Sequence, residues 1–330
     1  MATFYDEWLA ADAQIQEGFR RAPHVARDRD IPWIQTRQDA KVKLMVANTN
    51  GFATMGSDVL KAEIPAGWHT GKHAHGEESI HFLEGQGFSI VDGQRFDWHK
   101  GTTLQIPYRA VHQHFNTGDA PALYLSGMVF SLERFFNLAK MEQIEDCGAT
   151  DAFSLSRLPS TQETQYYKDG ARAIIHLEEA PEDEEFPGHN AVDASKNQHH
   201  RIKYLVQPQN GFRAKTVAVT AIWEEPAGTH SGRHKHLEAM VYAWSGRGMS
   251  EMDGHEQPWQ EGDVLHVPPS MWEHEHYNNS TESYWQLQIR FGIRNWWQDV
   301  WDGYTPQRSL DEHGKPIERG EIVRIRERTV

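Results

Sequence analysis

A chain of 330 residues, 38% hydrophobic and 24% charged, is long enough for two globular domains that each bury their own core. A formal net charge of −14 excludes the basic footprint that nucleic acid or an anionic membrane surface requires, and no apolar run approaches the ~20 residues that span a bilayer. The single cysteine, Cys147, excludes an intrachain disulfide and suits a reducing compartment, so a cytoplasmic location is expected.

The first predicted element is a helix. Phe4, Trp8, Ala11 and Ile15 recur at helical spacing, and the segment lacks the basic-then-apolar order of a secretory signal. It opens a helical arm over residues 1–40. Residues 41–145 then read as short strands, with alternating text at 88–93 ending in Asp92-Gly93, a hairpin signal, and a helix near 131–145. Residues 146–200 connect to a second strand-rich unit. Their acidic, proline-containing stretch 178–188 reads as an exposed linker, and His199 and His200 as surface residues. The second unit covers 201–300, with Asp253-Gly254 closing its own hairpin, and 301–330 form a tail. Each unit is expected to be a small antiparallel jelly-roll barrel, which makes the chain all-β with a few flanking helices.

The two units are copies of one another. Residues 65–78 (PAGWHTGKHAHGEE) recur at 226–239 (PAGTHSGRHKHLEA), an offset of 161 that also relates Trp98 to Trp259. Upstream, 41–52 match 201–212 with one residue less offset, and downstream Phe130 matches Phe291. The repeat carries histidines with it. His73 and His75 are one residue apart, so on a strand both imidazoles share a face, and His112 approaches from a later strand. His234, His236 and His274 repeat the arrangement. Three neutral imidazoles converging in a barrel suit Fe, Mn, Zn, Cu or Ni and leave coordination positions open.

These residues resemble the cupin superfamily. Gly67, His73, His75, Glu78 and Gly85 follow its first motif, with a short gap before Glu78. Gly101, Pro107, His112 and Asn116 follow the second, with Arg109 in the usual glycine place. Gly228, His234, His236, Gly246, Gly262, Pro269, His274 and Asn278 supply both motifs again. The resemblance implies metal ligation by the six histidines. Some cupins add a glutamate as fourth ligand and others use histidines alone. Glu78 holds the acidic motif position in the first copy and Ala239 in the second, whereas Glu77 and Glu238 match each other. The reading favoured here is a three-histidine site in each copy, with Glu77 and Glu238 supporting a ligating histidine; Glu77, Glu78 and Glu238 stay open as alternative ligands, and a solvated surface place is open to Glu77 and Glu238 as well.

Further candidates surround these ligands. His114 and His276 follow the third histidine by two residues and so share its strand face, as alternative ligands or as partners that orient one. His69 and His230 precede the first by four, as loop histidines or as residues that face the substrate or support a ligand. His81 and Arg109 in the first copy, and Tyr242 and Arg290 in the second, are candidates to face an anionic substrate, although packing or surface ion pairs also explain each taken singly. Asn116 and Asn278 read as turn residues, and Trp296, Trp297 and Trp301 as core or subunit contacts. Two tandem units with three-histidine sites resemble the gentisate, salicylate and 1-hydroxy-2-naphthoate dioxygenase group. That resemblance implies a homo-oligomeric Fe(II) enzyme that cleaves a hydroxylated aromatic acid with O2. A Mn-type decarboxylase, an isomerase or hydrolase, and a non-enzymatic binding protein are the alternatives.

Overall fold

The computed structural model describes residues 2–137, 140–151, 155, 158–160, 164–182, 201–207, 210–217 and 219–291. His199, His200, Trp296, Trp297, Trp301, most of the acidic linker and the 301–330 tail lie outside the described residues. Within them the chain is mostly strand, arranged as two barrels of two sheets each. Barrel 1 has a six-stranded sheet in the order Ile174–Ile175, Thr103–Ile106, Glu78–Glu84, Ala122–Met128, Asp58–Ile64 and Lys41–Val46. Its facing sheet is built around His112–Asn116, which pairs with Lys72–Ala74, Trp68–His69 and Gln86–Val91. Barrel 2 repeats this with Val25–Ala26, Val264–Val267, Ala239–Ser245, Tyr284–Arg290, Val219–Glu225 and Arg201–Tyr204 on one side. Its facing sheet holds His234–Lys235, Glu273–Tyr277, Arg247–Met252 and His255–Gln260.

Alternation along the strands explains how the barrels meet. In Glu78–Glu84, Ile80 and Phe82 point into barrel 1 beside Phe96, Trp98, Leu104 and Ile106. Leu83 points the other way, into a shared core with Leu125, Met240, Tyr242, Leu287 and Ile289. The larger sheets are therefore buried on both faces, and their strands lose the polar alternation of a half-exposed sheet. Asp92-Gly93 and Asp253-Gly254 close the hairpins with positive φ at all four residues, as two-residue turns of that hand require. Asn116 ties its turn by donating to the carbonyls of Ile64 and Ala120, and Asn278 does the same to Glu225 and Glu282.

The flanking segments depart from the sequence expectation. The N-terminal helix Phe4–Arg21 forms, capped by Thr3, but the arm that follows is part of both barrels. Val25–Ala26 adds an edge strand to barrel 2, and Ile34, which bridges to Val42, approaches barrel 1. Reciprocally, Ile174–Ile175 from the connecting segment adds an edge strand to barrel 1. The helix expected near 131–145 stops at Phe135; Glu142–Glu145 instead pairs with Lys72–Ala74, where a sheet edge supplies hydrogen-bond partners. No helix among the described residues is long and apolar enough to cross a membrane.

One buried carboxyl is expected to make the stability of barrel 2 depend on pH. Burial raises Glu225 to about 8, against the opposing hydrogen bonds from Thr229 and Trp223 and the nearby His230. A carboxyl raised in the folded state contributes stability that is full below its unfolded value and is lost as pH rises through the folded one. Glu225→Gln is therefore expected to flatten the loss of stability between about pH 4.5 and 8. That loss approaches roughly 1.4 kcal/mol for each pH unit crossed inside the window. Denaturant midpoints across it check the expectation, and a parallel decline in both proteins would refute it.

Candidate metal centres and cavity

The ring nitrogens of His73, His75 and His112 all lie within 4.8 Å of one another, and so do those of His234, His236 and His274. The backbone brings them there. His112 lies directly across from His73, as His274 does from His234, and the intervening residue turns His75 and His236 to the same side. Their orientation is fixed from behind. Nδ1 of His112 meets the Ala110 carbonyl at 2.8 Å and Nδ1 of His75 the Gly76 carbonyl at 2.9 Å. In barrel 2, Nδ1 of His234, His236 and His274 meets the carbonyls of Gly232, Leu237 and Trp272. A proton on Nδ1 leaves the Nε2 lone pair facing inward, which is how a ligating histidine is held. Burial, with His112 and His75 nearby, lowers His73 to about 2, so this imidazole is neutral over the working pH range.

The two centres differ in one residue. Glu78 Oε2 lies 3.4 Å from both His75 Nε2 and His112 Nε2. Burial opposes its charge, but the hydrogen-bonding pull of His112 and His75 outweighs it and holds the carboxyl well below the usual range. Ser126 donates to its other oxygen. Glu78 Oε2 and His112 Nε2 are buried 3.4 Å apart, too far and too poorly aligned for a good hydrogen bond, and a cation bound by both atoms would satisfy them. Barrel 1 thus offers three nitrogens and one oxygen, while barrel 2, with Ala239 at that position, offers three nitrogens. Glu78, an open alternative in the sequence, is the carboxylate that lies within 3.4 Å of two barrel-1 histidines.

A cavity of 380 Å³ opens onto the barrel-1 centre. His73, His75, Glu78 and His114 form its floor; Ile34, Val42, Leu44, Leu60, Met128 and Met141 supply apolar wall. Residues from the arm, Thr36 to Asp39, complete it. Asp39 accepts a 2.6 Å hydrogen bond from Tyr124, and burial raises it to about 7 despite that bond. Sequence reasoning missed Asp39 and Tyr124. Asp39 sits in the arm outside the repeat, and only its place in the cavity marks it.

His114 and His276 lie behind the triads, bonded through Nδ1 to Ser89 and Ser250 at 2.7 Å, and burial lowers both to about 3. Several other candidates fall elsewhere. Glu77 turns away from the histidines and accepts hydrogen bonds from the backbone of Lys215, Thr216 and Val217 in barrel 2. Glu238 reciprocally accepts from Met55 and Ser57 in barrel 1, and from His266 at 2.8 Å. Both carboxylates therefore join the barrels, and none of these partners is a triad histidine. His69 lies on the outer strand face against Phe115, bonded to Thr70 and Gln113, and His230 pairs with Glu275. His81 and Tyr242 face the seam between barrels, where His81 meets Thr103 and Trp244. Arg109 has a left-handed φ of 65° and spends its guanidinium on Lys140 and Glu142 at the rim. These residues leave the cavity because strand alternation or local pairing turns them out.

Comparison with known proteins agrees with this fold. Residues 60–128 match the family model described as a cupin domain. An uncharacterized protein of Methanocaldococcus jannaschii is 29% identical over 96 residues, 28% of this chain and 75% of that protein. Among solved structures, a salicylate 1,2-dioxygenase from Pseudoaminobacter salicylatoxidans with gentisate adducts superposes with a TM-score of 0.60 at 14% identity, covering 86% of each chain. A variant of Bacillus subtilis oxalate decarboxylase does so with a TM-score of 0.64 at 14% identity, covering 92% of this chain and 86% of that one.

Proposed function

We propose, from the premise that this chain is a bicupin of the cupin superfamily, that it is an Fe(II)-dependent dioxygenase acting on a small hydroxylated aromatic acid, with barrel 1 as the catalytic compartment. The observation that carries the reading is the 380 Å³ cavity in which an apolar wall faces three histidines and Glu78. Its size lies in the range of about 300–1,000 Å³ found for small-molecule sites, and the wall suits a ring more than a compact dianion. Asp39 and Glu78 in the same cavity also disfavour doubly charged ligands. A metal held by His73, His75, His112 and Glu78 would supply Lewis acidity and one-electron chemistry toward O2. The chain's own residues do the rest. The apolar wall excludes water, Asp39 accepts a proton from a substrate hydroxyl, and Tyr124 holds Asp39 in place. His114, fixed by Ser89, backs the floor.

Glu78 favours a second reading, a decarboxylase-type cupin, because that group keeps a glutamate ligand. Metal-reconstituted protein given a panel of hydroxylated benzoates and short dicarboxylates separates them. Oxygen consumption with an aromatic acid supports the proposal; carbon dioxide release from a dicarboxylate without oxygen consumption overturns it in favour of the second reading. A homo-oligomer, expected from the resemblance, is part of the same proposal and is checked by sedimentation.

A further inference from the structure

A third cluster of metal-type donors, His99, His176 and Glu178, shares no residue with either triad. One ring nitrogen of each histidine and a carboxylate oxygen of Glu178 lie within 4.8 Å of one another. His99 ends the barrel-1 strand Gln94–His99, whereas His176 and Glu178 come from the connecting segment, just after its edge strand Ile174–Ile175. Leu177, between them, packs on the shared core, and its two neighbours meet His99 at the surface. The cluster belongs to one barrel only. By the 161-residue offset, Gln260 stands where barrel 1 has His99, and the two pair with matching strand positions, Arg247 and Gln86. This strand end therefore folds without a histidine.

Both imidazoles are backed at one nitrogen. Nδ1 of His99 meets the Lys100 carbonyl at 2.9 Å, and Nδ1 of His176 meets the Thr102 hydroxyl at 2.9 Å, so Nε2 of each ring is the nitrogen left to coordinate. Nε2 of His99 lies 3.3 Å from Glu178 Oε1. The rings stack 4.7 Å apart and 12° from parallel. Lone pairs lie in the ring planes, so a shared ion requires one ring to turn. His99, 47% exposed, has room to do so while Thr102 keeps His176 in place. An exposed histidine–glutamate pair stabilises little by itself, and one imidazole would serve it. Two imidazoles with one carboxylate make a chelating set.

We propose that His99, His176 and Glu178 bind a zinc-class divalent cation that clips the connecting segment onto barrel 1. Two imidazole nitrogens, one carboxylate oxygen and a water complete the four-coordinate shell that zinc takes. Imidazole donors select such borderline ions over magnesium and calcium, which prefer oxygen. The clip acts where the segment's own hold is short. Its edge strand is two residues long, and by Pro181, whose carbonyl accepts from the Tyr204 backbone, the chain has reached barrel 2. The inference does not depend on the reaction that barrel 1 carries out.

Equilibrium dialysis against zinc, followed by elemental analysis, tests it on wild-type protein, His99→Gln and His176→Ala. Glutamine occupies the matching position of barrel 2, so His99→Gln is expected to keep the fold. Wild-type protein should hold one zinc per chain more than either variant, whatever the triads hold, which separates this outcome from a failure of the triads. Losing a residue that only supports a ligand costs about 10- to 100-fold in affinity, and losing a donor should cost at least as much. Zinc should also slow hydrogen exchange over residues 174–180 in wild-type protein and not in the variants. Equal zinc content in all three proteins overturns the proposal, as does an extra zinc that either variant retains. Exchange over 174–180 that zinc leaves unchanged in wild-type protein overturns it as well, because the ion then sits on other histidines.

Discussion

Replacement of His112 by alanine is expected to empty barrel 1 of metal and abolish turnover while leaving the barrel-2 centre loaded. Loss of a residue that only supports a ligand costs about 10- to 100-fold in affinity or activity. Removing His112 goes further, because it deletes a donor atom and also the partner at 3.4 Å from Glu78. The buried carboxylate would be left with His75 and the Ser126 hydroxyl, and its carboxyl would move back up toward protonation, since burial is the largest influence on it and opposes the charge. Elemental analysis should fall from about one metal per triad to metal in barrel 2 alone, and His274→Ala should give the converse loss. If both variants keep full metal content with an unchanged circular dichroism spectrum, the histidines are core residues and the functional proposal fails. If His274→Ala abolishes turnover and His112→Ala spares it, the catalytic compartment is barrel 2.

The repeat makes the architecture and the triads legible from the chain alone, because ligand spacing is a local property. One intervening residue puts His73 and His75 on one strand face whatever the rest of the fold does. Glu78 and Glu77 show where that logic ends. They are adjacent, so alternation sends them to opposite faces, but the strand phase is needed to say which faces the metal site and which the neighbouring barrel. Repetition marks the pair Glu77 and Glu238 as functional; what it preserves is a reciprocal contact between copies. Asp39 is illegible for a different reason. It comes from the arm, and nothing in residues 1–40 indicates that they would wrap barrel 1 and add a strand to barrel 2. Arg290 is visible in the sequence only as a cation of undetermined facing, and the register places it opposite Ala239.

Glu77→Ala and Glu238→Ala should each destabilise the chain severely without changing the identity of the metal ligands. Glu77 accepts from three consecutive backbone N–H groups, at 2.8–2.9 Å from Lys215 and 3.1 Å from Val217, and from the Thr216 hydroxyl at 2.9 Å. Hydrogen bonds to a charged group are worth about 1.5–3 kcal/mol each, and the donors left behind lie at a part-buried seam, where a fully buried orphan such as the Val217 N–H costs about 1–3 kcal/mol and the others less. These contributions overlap, so a net loss of about 3–5 kcal/mol is expected for either alanine variant, in the range seen when one partner of a buried charged contact is removed. For a protein of this size that corresponds to a fall in melting temperature on the order of 10 °C. Glu77→Gln, which keeps an acceptor oxygen but loses the charge, should fall between wild type and alanine. Because the Glu238 partners sit in the other loop, at Met55 and Ser57, the two losses should add when combined unless the barrels separate first. The decisive readout is metal content in the folded variants. A clamp residue leaves it intact at temperatures below the new transition, whereas a residue that supports a ligand would release metal from a chain that is still folded. Metal loss without loss of stability in Glu77→Ala would return Glu77 to the metal centre and remove the clamp.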